Sequence, residues 1–183
     1  MTFVDRLTAR HGPLPAADPP RTDRVGGELR GVLGRFATGV TVLTTGRDTP
    51  QGMTANSFTS VSLEPPLILV CVKRTAALHD AILTEKAFAV SVLSGAQKDV
   101  AKYFADRTRP RGSREFDAVD TTPGQHTGAP VLTGAQAWLE CGLAAVHDGG
   151  DHSIFLGSVL DIGRAESDDP LLYFGGGFHR LSA

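Results

Sequence analysis

The sequence predicts a mainly β domain, an antiparallel barrel with two or three short helices. Several short segments rich in Val, Ile, Thr and Phe are separated by turn residues, as is typical of strands. Strand–helix–strand alternation is rare, so a parallel sheet is not expected. Two longer strand-like segments, residues 135–146 and 153–163, flank HDGGDH, a strong hairpin signal. Together these observations favour a closed antiparallel barrel.

Composition sets the broad class of the protein. A length of 183 residues suits one domain with a buried core, and 41% hydrophobic with 21% charged residues is ordinary for a globular chain. A formal net charge of −2 gives no reason to bind nucleic acid or an anionic membrane. No apolar run approaches the ~20 residues that span a bilayer, and no signal peptide begins the chain. We therefore expect a cytoplasmic protein.

The first elements are an arm, a helix and a strand. Residues 1–24 are rich in Pro, Arg and Asp without apolar periodicity, which predicts a flexible N-terminal arm before a domain at 25–183. From Gly27 to Phe36, apolar residues recur at helical spacing and predict a short amphipathic helix. Residues 40–45 alternate as a strand, and GRDTPQG supplies the turn after it.

The next stretch, Gly52 to Thr75, is the most informative in the chain. Its first half, Met53 to Ser62, is predicted to be a strand and holds six hydroxyl or amide side chains: Thr54, Asn56, Ser57, Thr59, Ser60 and Ser62. A buried polar group without a partner costs about 1–3 kcal/mol, so a polar ligand would explain them. The alternative is an ordinary polar strand that faces solvent. After Glu64-Pro65-Pro66, the apolar run from Leu67 to Val72 predicts a buried strand.

The second half of the chain adds helices, strands and a charged loop. Thr75 is a candidate helix cap, and Ser94 with Gln97 matches a capping box whose helix places Val100, Tyr103 and Phe104 on one side. The charged segment RTRPRGSREFD is interpreted as a solvated loop that could contact a phosphate. Since the chain stays loop-like to Gly128, it is also a candidate lid. A last short strand is predicted from Pro170 to Phe174.

The segment TANSFTSVSLEPPLILVCV closely resembles the signature of the short-chain flavin reductase family, the reductase components of two-component flavin-dependent monooxygenases. Further matches follow the family's order from about Leu29 to Leu181: TGVTV, FAVSVL, Gly150-Asp151-His152 and Pro170-Leu171-Leu172-Tyr173. The resemblance implies an FMN-binding split β-barrel that forms a homodimer.

The resemblance also implies an activity. The expected enzyme is an NAD(P)H-dependent flavin reductase that transfers hydride from nicotinamide C4 to flavin N5. It would supply reduced flavin, by diffusion, to a partner monooxygenase. The sequence leaves FMN or FAD open as the flavin, and NADH or NADPH as the co-substrate. Two alternatives remain: a non-catalytic flavin-binding or storage module, and a split-barrel flavin oxidase.

The expected flavin site lies on the two strands of the signature. Small side chains let a strand approach a flat ring closely, and both chemistry and resemblance assign the ring to Thr54, Ala55, Asn56 and Ser57. The flavin phosphate is assigned to Ser60, Arg74 and Thr75, because hydroxyls and a guanidinium suit it. Cys71 and Val72 would line the site, and Phe104 would pack near the ring. Lys73 is less favoured, since strand alternation points it opposite to Arg74.

His152 is the candidate residue for catalysis. At a hairpin tip, an imidazole can reach across a barrel mouth and stack on a nicotinamide, and the resemblance places the matching His on that side. The alternative is an exposed turn residue. His147 and His152 lie five residues apart without further ligands, so no metal site is expected. Cys71 and Cys141 are interpreted as small buried hydrophobes, not as a disulfide.

Overall fold

A seven-stranded antiparallel sheet is the main element of the structure, a computed structural model that describes residues 22–166 and 168–181. The predicted arm lies outside the described residues, except for its last three, which begin the first helix. That helix was predicted from Gly27 and begins five residues earlier. In chain order the elements are α1 (Thr22–Leu33), β1 (Thr38–Gly39), β2 (Thr41–Thr45), β3 (Gln51–Ala55), β4 (Thr59–Leu63), β5 (Pro66–Lys73), α2 (Ala77–Glu85), β6 (Ala87–Val92), α3 (Lys98–Ala105), β7 (Thr121–Pro123), β8 (Pro130–Leu132), β9 (Ala137–Gly149), β10 (His152–Arg164), β11 (Leu171–Phe174) and β12 (Gly177–Arg180).

The main sheet runs β3-β2-β6-β9-β10-β5-β4, and every neighbouring pair is antiparallel. Its ladder ends at β3 and β4, so the sheet is open and the expectation of a closed barrel is wrong. The predicted continuous strand over Met53–Ser62 is broken at residues 56–58, where the chain leaves one edge and joins the other. Ser57 links the two: its hydroxyl donates to the Cys71 carbonyl and accepts from the Cys71 N–H, both at 3.0 Å.

Apolar strand faces form two adjoining cores. The larger lies beneath α2 and includes Leu43, Val70, Phe88 and Phe155, all fully buried. Each such side chain contributes about 1.5–3 kcal/mol by burial. The second core packs under α3 and contains Val42, Leu93, Phe104, Leu132 and Leu171. The predicted apolar face of α3 is therefore confirmed, and it places this helix on β2 and β3.

Helix and hairpin signals in the sequence gave mixed results. The capping box is confirmed, because the Ser94 N–H donates to Gln97 Oε1 at 3.1 Å at the start of a short 3₁₀ turn that leads into α3. Thr75 is not the cap of α2; Ala76 occupies that position and offers no side-chain cap. The sequence analysis missed β12, which pairs with β11 around Gly175 and Gly176, both with positive φ. Among the described residues, no helix combines the length and apolarity needed to cross a membrane.

The segment after α3 is anchored, which contradicts its interpretation as a free lid. Residues 112–116 form a 3₁₀ turn and β7 pairs with β8. The buried Glu140 carboxylate accepts N–H groups from Gln125, His126 and Thr127 at 2.8–3.1 Å, and the Thr127 hydroxyl at 2.7 Å. Burial disfavours the charged form of Glu140, yet these hydrogen bonds, led by those from Thr127, lower its pKa below the usual value.

Glu140→Gln should lower the free energy of unfolding at neutral pH by about 1.5–3 kcal/mol, because it replaces charge-assisted hydrogen bonds with an amide that opposes N–H donors. The pKa of Glu140 is lower in the folded than in the unfolded state. Its stabilisation is therefore complete above the unfolded pKa and is lost as pH falls through the folded pKa. Urea unfolding from about pH 6 to about pH 3 should show the difference between the two proteins narrowing. The exposed Glu85→Gln serves as control; a pH-independent difference would contradict the prediction.

Candidate functional site

Two clefts meet on the edge strand β3. The first, here called the basic cleft, has a volume of about 290 Å³ and is formed by β3, by residues 73–78 and by residues 104–111. The second, the aromatic cleft, has about 360 Å³ and is lined by Val40, Thr54, Ala55, Asn56, Ala105, Tyr173, Gly176 and Phe178. Thr54 and Ala105 border both clefts. One ligand lying along β3 can therefore contact both.

The basic cleft depends on a close approach between β3 and α3 at Gly52. A Cβ at this position would lie 2.5 Å from Cε1 of Phe104 and 3.1 Å from Cζ of Phe116, which is too near for any side chain. The absence of a side chain lets both aromatic rings lie on the strand, where they pack at 5.3 Å between centroids. This contact brings residues 105–111 against the end of the cleft.

A buried ion pair fastens the same segment to β3. The Arg109 guanidinium donates to Glu115 Oε1 at 2.6 and 2.9 Å, and both side chains are buried. The pair also binds both backbone groups of Gly52: Arg109 Nη2 donates to its carbonyl, and its N–H donates to Glu115 Oε1 at 3.1 Å. Arg109 further stacks over Phe104 at 5.5 Å. The expectation of a solvated charged loop is thus wrong for Arg109 and Glu115.

Thr54 presents a defined hydrogen-bonding character at the junction of the clefts. Its hydroxyl donates to the Ala101 carbonyl at 2.6 Å, so only its lone pairs remain for a ligand. The argument that a ligand must supply partners is therefore wrong for Thr54, and equally for Ser57, whose hydroxyl is satisfied by Cys71. Asn56, by contrast, is exposed, with no printed side-chain hydrogen bond within the described residues. Thr54 can accept an N–H and Asn56 can both donate and accept.

The basic cleft is suited to anions at the end of β5. Lys73 and Thr75 line it together with Ala76 and Ala77, which begin α2. No side chain caps this helix, so the N–H groups of its first turn face a cleft with the positive end of the helix dipole. Alternation does separate Lys73 from Arg74, but Lys73 is the one that faces the cleft. Arg74 donates instead to Asp148 Oδ2 at 2.9 Å and to the Gly150 carbonyl at 3.0 Å.

His152 lies at the rim of this region. It is the register partner of Lys73 on β5, and paired residues of antiparallel strands point to the same face. Its ring is 42% exposed, and Nδ1 forms a hydrogen bond of 2.7 Å with Asp151 Oδ1. This hydrogen bond lowers the pKa of Asp151. His152 itself lines neither cleft.

The remaining predicted residues have structural surroundings. Val72 is fully buried in the larger core, and Phe104 is buried between the second core and the basic cleft. Ser60 is exposed on β4. Burial raises the pKa of Cys71, and burial together with Glu140 raises the pKa of Cys141 to about 12, so neither offers a thiolate at neutral pH.

Comparison with known proteins agrees with this geometry. Residues 33–182 match the model of the flavin reductase like domain. The chain belongs to this family. An NADH-dependent FAD reductase of Streptomyces globisporus is 48% identical over 170 residues, which cover 93% of this chain and 91% of the relative. The FMN reductase (NADH) SmoA of Agrobacterium fabrum is 43% identical, over 100% and 99% of the two chains.

A solved structure shares the fold of this flavin reductase-like chain. BorF, the flavin reductase component of a bacterial two-component tryptophan halogenase, superposes with a TM-score of 0.83. It is 51% identical, over 86% of this chain and 99% of its own. The split-barrel prediction and the family resemblance are thereby confirmed, with the sheet open as described above.

Sequence reasoning missed the residues that give the basic cleft its charge. Lys73 was passed over, and Arg107, Arg109 and Arg111 were included only in a loop that could contact a phosphate. The usable signal was the density of arginine in RTRPRGSREFD directly after an amphipathic helix. Gly52 carried no signal in one sequence, because its role depends on which ring lies above it.

Glu115→Gln should destabilise this flavin reductase-like protein by about 3–5 kcal/mol, because it leaves the Arg109 charge buried without its counter-charge. Arg109→Met alone should cost a similar amount. The double variant should lose clearly less than the sum, since no unpaired charge remains. Urea unfolding of the four proteins measures the coupling; strictly additive losses would contradict a mutually dependent pair.

Proposed function

We propose that this protein is an NADH-dependent flavin reductase that reduces free FAD or FMN and supplies the product to a separate flavin-dependent monooxygenase. The observation that carries the proposal is Thr54 on edge strand β3, where the two clefts meet. A flat ring and a phosphorylated chain can bind there side by side. The named relatives support NADH as the reductant, and BorF supports a two-component system.

The residues present fit a flavin. The isoalloxazine edge offers carbonyl acceptors and one ring N–H, which match the Asn56 amide and the accepting lone pairs of Thr54. Its phosphate matches Lys73, Thr75 and the uncapped start of α2. Tyr173 and Phe178, whose ring centroids lie 5.4 Å apart, provide apolar surface in the aromatic cleft.

The chemistry asks little of the protein beyond binding and orientation. Bound flavin supplies the hydride acceptor, so no acid, base or nucleophile from the chain is required. What the chain supplies is a position: β3 holds one reactant, and the rim near Lys73 and His152 orients the other. Hydride transfer requires reacting atoms at about 3–3.5 Å, so this alignment is the main catalytic contribution of the protein.

We also propose a cytoplasmic homodimer. Helix α1 leaves its apolar face uncovered by the rest of the described chain, and it is joined to β11–β12 by a hydrogen bond from the Gly175 N–H to the Gly34 carbonyl. Its apolar side chains are 46–75% exposed: Val25, Leu29, Val32, Leu33 and Phe36. A second copy would bury them. Both cysteines are free, which agrees with a reducing compartment.

The proposed activity is tested by following nicotinamide absorbance with purified protein, NADH or NADPH, and FAD, FMN or riboflavin. Consumption of NADH that depends on added flavin supports the reductase. Tight flavin binding without NADH consumption would instead identify a storage module. Reduction of a bound flavin by some other substrate, with oxygen consumption, would identify an oxidase.

His152→Ala should lower kcat/KM for NADH about ten-fold, equivalent to about 1.4 kcal/mol of transition-state stabilisation. Its ring lies on the Lys73 face at the rim, where it can contact the nicotinamide without bonding to the transferred hydride. Flavin affinity should remain within about two-fold, because the flavin contacts come from β3 and α2. His147→Ala, on the adjacent strand β9, is the control. Parental kinetics for His152→Ala would show that the ring is only an exposed turn residue.

Val32→Asp combined with Phe36→Asp should convert the dimer to a monomer, since two charges would have to be buried in the interface. Light scattering after size exclusion measures the mass, with the exposed Arg30→Ser on the same helix as control. A monomeric parent protein at micromolar concentration would contradict the proposal and leave α1 to be covered by another partner.

A further inference from the structure

The basic cleft carries more positive charge than one phosphate group requires. Lys73, Arg107, Arg109 and Arg111 line it, whereas no Asp or Glu does. Glu115 compensates Arg109, but no carboxylate of the described residues lies within ion-pair distance of Lys73, Arg107 or Arg111. Clustered cations repel each other and weaken folding, so an uncompensated set in a concave site points to an anionic ligand.

These cations form two separate donor sets. One comprises Lys73, Thr75 and the start of α2, at the end of β5. The other comprises Arg107 and Arg111, on the segment that follows α3. Strand β3 contributes Gly52 to Thr54 to the same cleft. A mononucleotide has one phosphate, which the first set alone can hold, so the second set has no function in binding FMN.

We propose that Arg107 and Arg111 bind the second phosphate of a dinucleotide, and so select a diphosphate-bearing ligand over a mononucleotide. This inference rests on the proposed function, because it assumes that the first donor set and β3 hold the nucleotide of a flavin or of NADH. Guanidinium groups suit the task, since each can donate two parallel hydrogen bonds to a phosphate.

The buried pair explains how an exposed loop can discriminate. Arg107 and Arg111 are exposed, but Arg109 between them is fixed to Glu115, to the Gly52 carbonyl and to the Asp106 carbonyl at 2.6 Å. Tyr103 adds a hydrogen bond of 2.8 Å to the Glu115 carbonyl. The backbone on both sides of Arg109 is thus held against β3. Binding therefore does not have to order the loop, which preserves affinity.

Two substrates of the proposed reaction carry a diphosphate, FAD and NADH. The structure identifies the shared chemistry, and matched ligand pairs distinguish the source. FAD is compared with FMN and riboflavin, and NADH with reduced nicotinamide mononucleotide. Within each pair the reactive ring is the same, so a change in the ratio of affinities reports on the phosphates alone.

The test variant is Arg107→Ala combined with Arg111→Ala, with Arg114→Ala as matched control on the same segment but outside the cleft. Equilibrium binding is measured by flavin fluorescence quenching or calorimetry, followed by KM values for each ligand. The double variant should weaken FAD relative to riboflavin, or NADH relative to its mononucleotide, by about ten- to a hundred-fold. The FMN-to-riboflavin ratio should change by less than about three-fold, and Arg114→Ala should change none of the ratios.

The outcomes separate this inference from the proposed function. Selective loss of dinucleotide binding in a protein that fails to turn over NADH would support the diphosphate site and reject the reductase. Unchanged ratios, or an equal loss for FMN and FAD, would overturn the inference while leaving reductase activity intact. If the double variant does not fold, Arg107→Lys with Arg111→Lys and the salt dependence of the parental FAD-to-riboflavin ratio replace it. A ratio insensitive to salt would then overturn the inference.

Discussion

The missing side chain at position 52 is the constraint on which the site depends. Any Cβ there would collide with Phe104, so β3 can lie against α3 only at a glycine. That contact sets the position of α3 and of the segment after it, and the Arg109–Glu115 pair then fixes the segment to the backbone of the same residue. The basic cleft, the packing of the second core and the placement of the arginines all follow from one close approach.

Much of the fold could be predicted because it follows from local patterns. The apolar run of β5, the hairpin between β9 and β10 and the Ser94–Gln97 capping box each depend on a few neighbouring residues. The break between β3 and β4 could not be predicted in this way. Residues 56–58 are compatible with an extended strand, and the ladder ends there because β5 already has β10 and β4 on its two sides. Strand order is a property of the whole chain.

The site was predictable where chemistry is carried by a contiguous motif. Thr54, Ala55 and Asn56 do line a cleft, and so do Thr75 and Phe104. The prediction was weakest where direction mattered. Of the adjacent cations on β5 and its end, Lys73 lines the basic cleft, because the turn of the β9–β10 hairpin offers Arg74 a carboxylate and a carbonyl that hold its guanidinium away. The arginines after α3 come from a distant segment, and only the packing on Gly52 brings them near Lys73.

The edge position of β3 gives the ion pair a second consequence, for behaviour at high concentration. A sheet edge normally exposes free N–H and C=O groups that can recruit a strand from another molecule. At Gly52 both groups are occupied, one by the Glu115 carboxylate and the other by the Arg109 guanidinium. The two side chains thus imitate one rung of a neighbouring strand without providing a strand that could propagate. The pair that shapes the cleft therefore also blocks edge-to-edge aggregation at the strand the protein must leave open for its ligand.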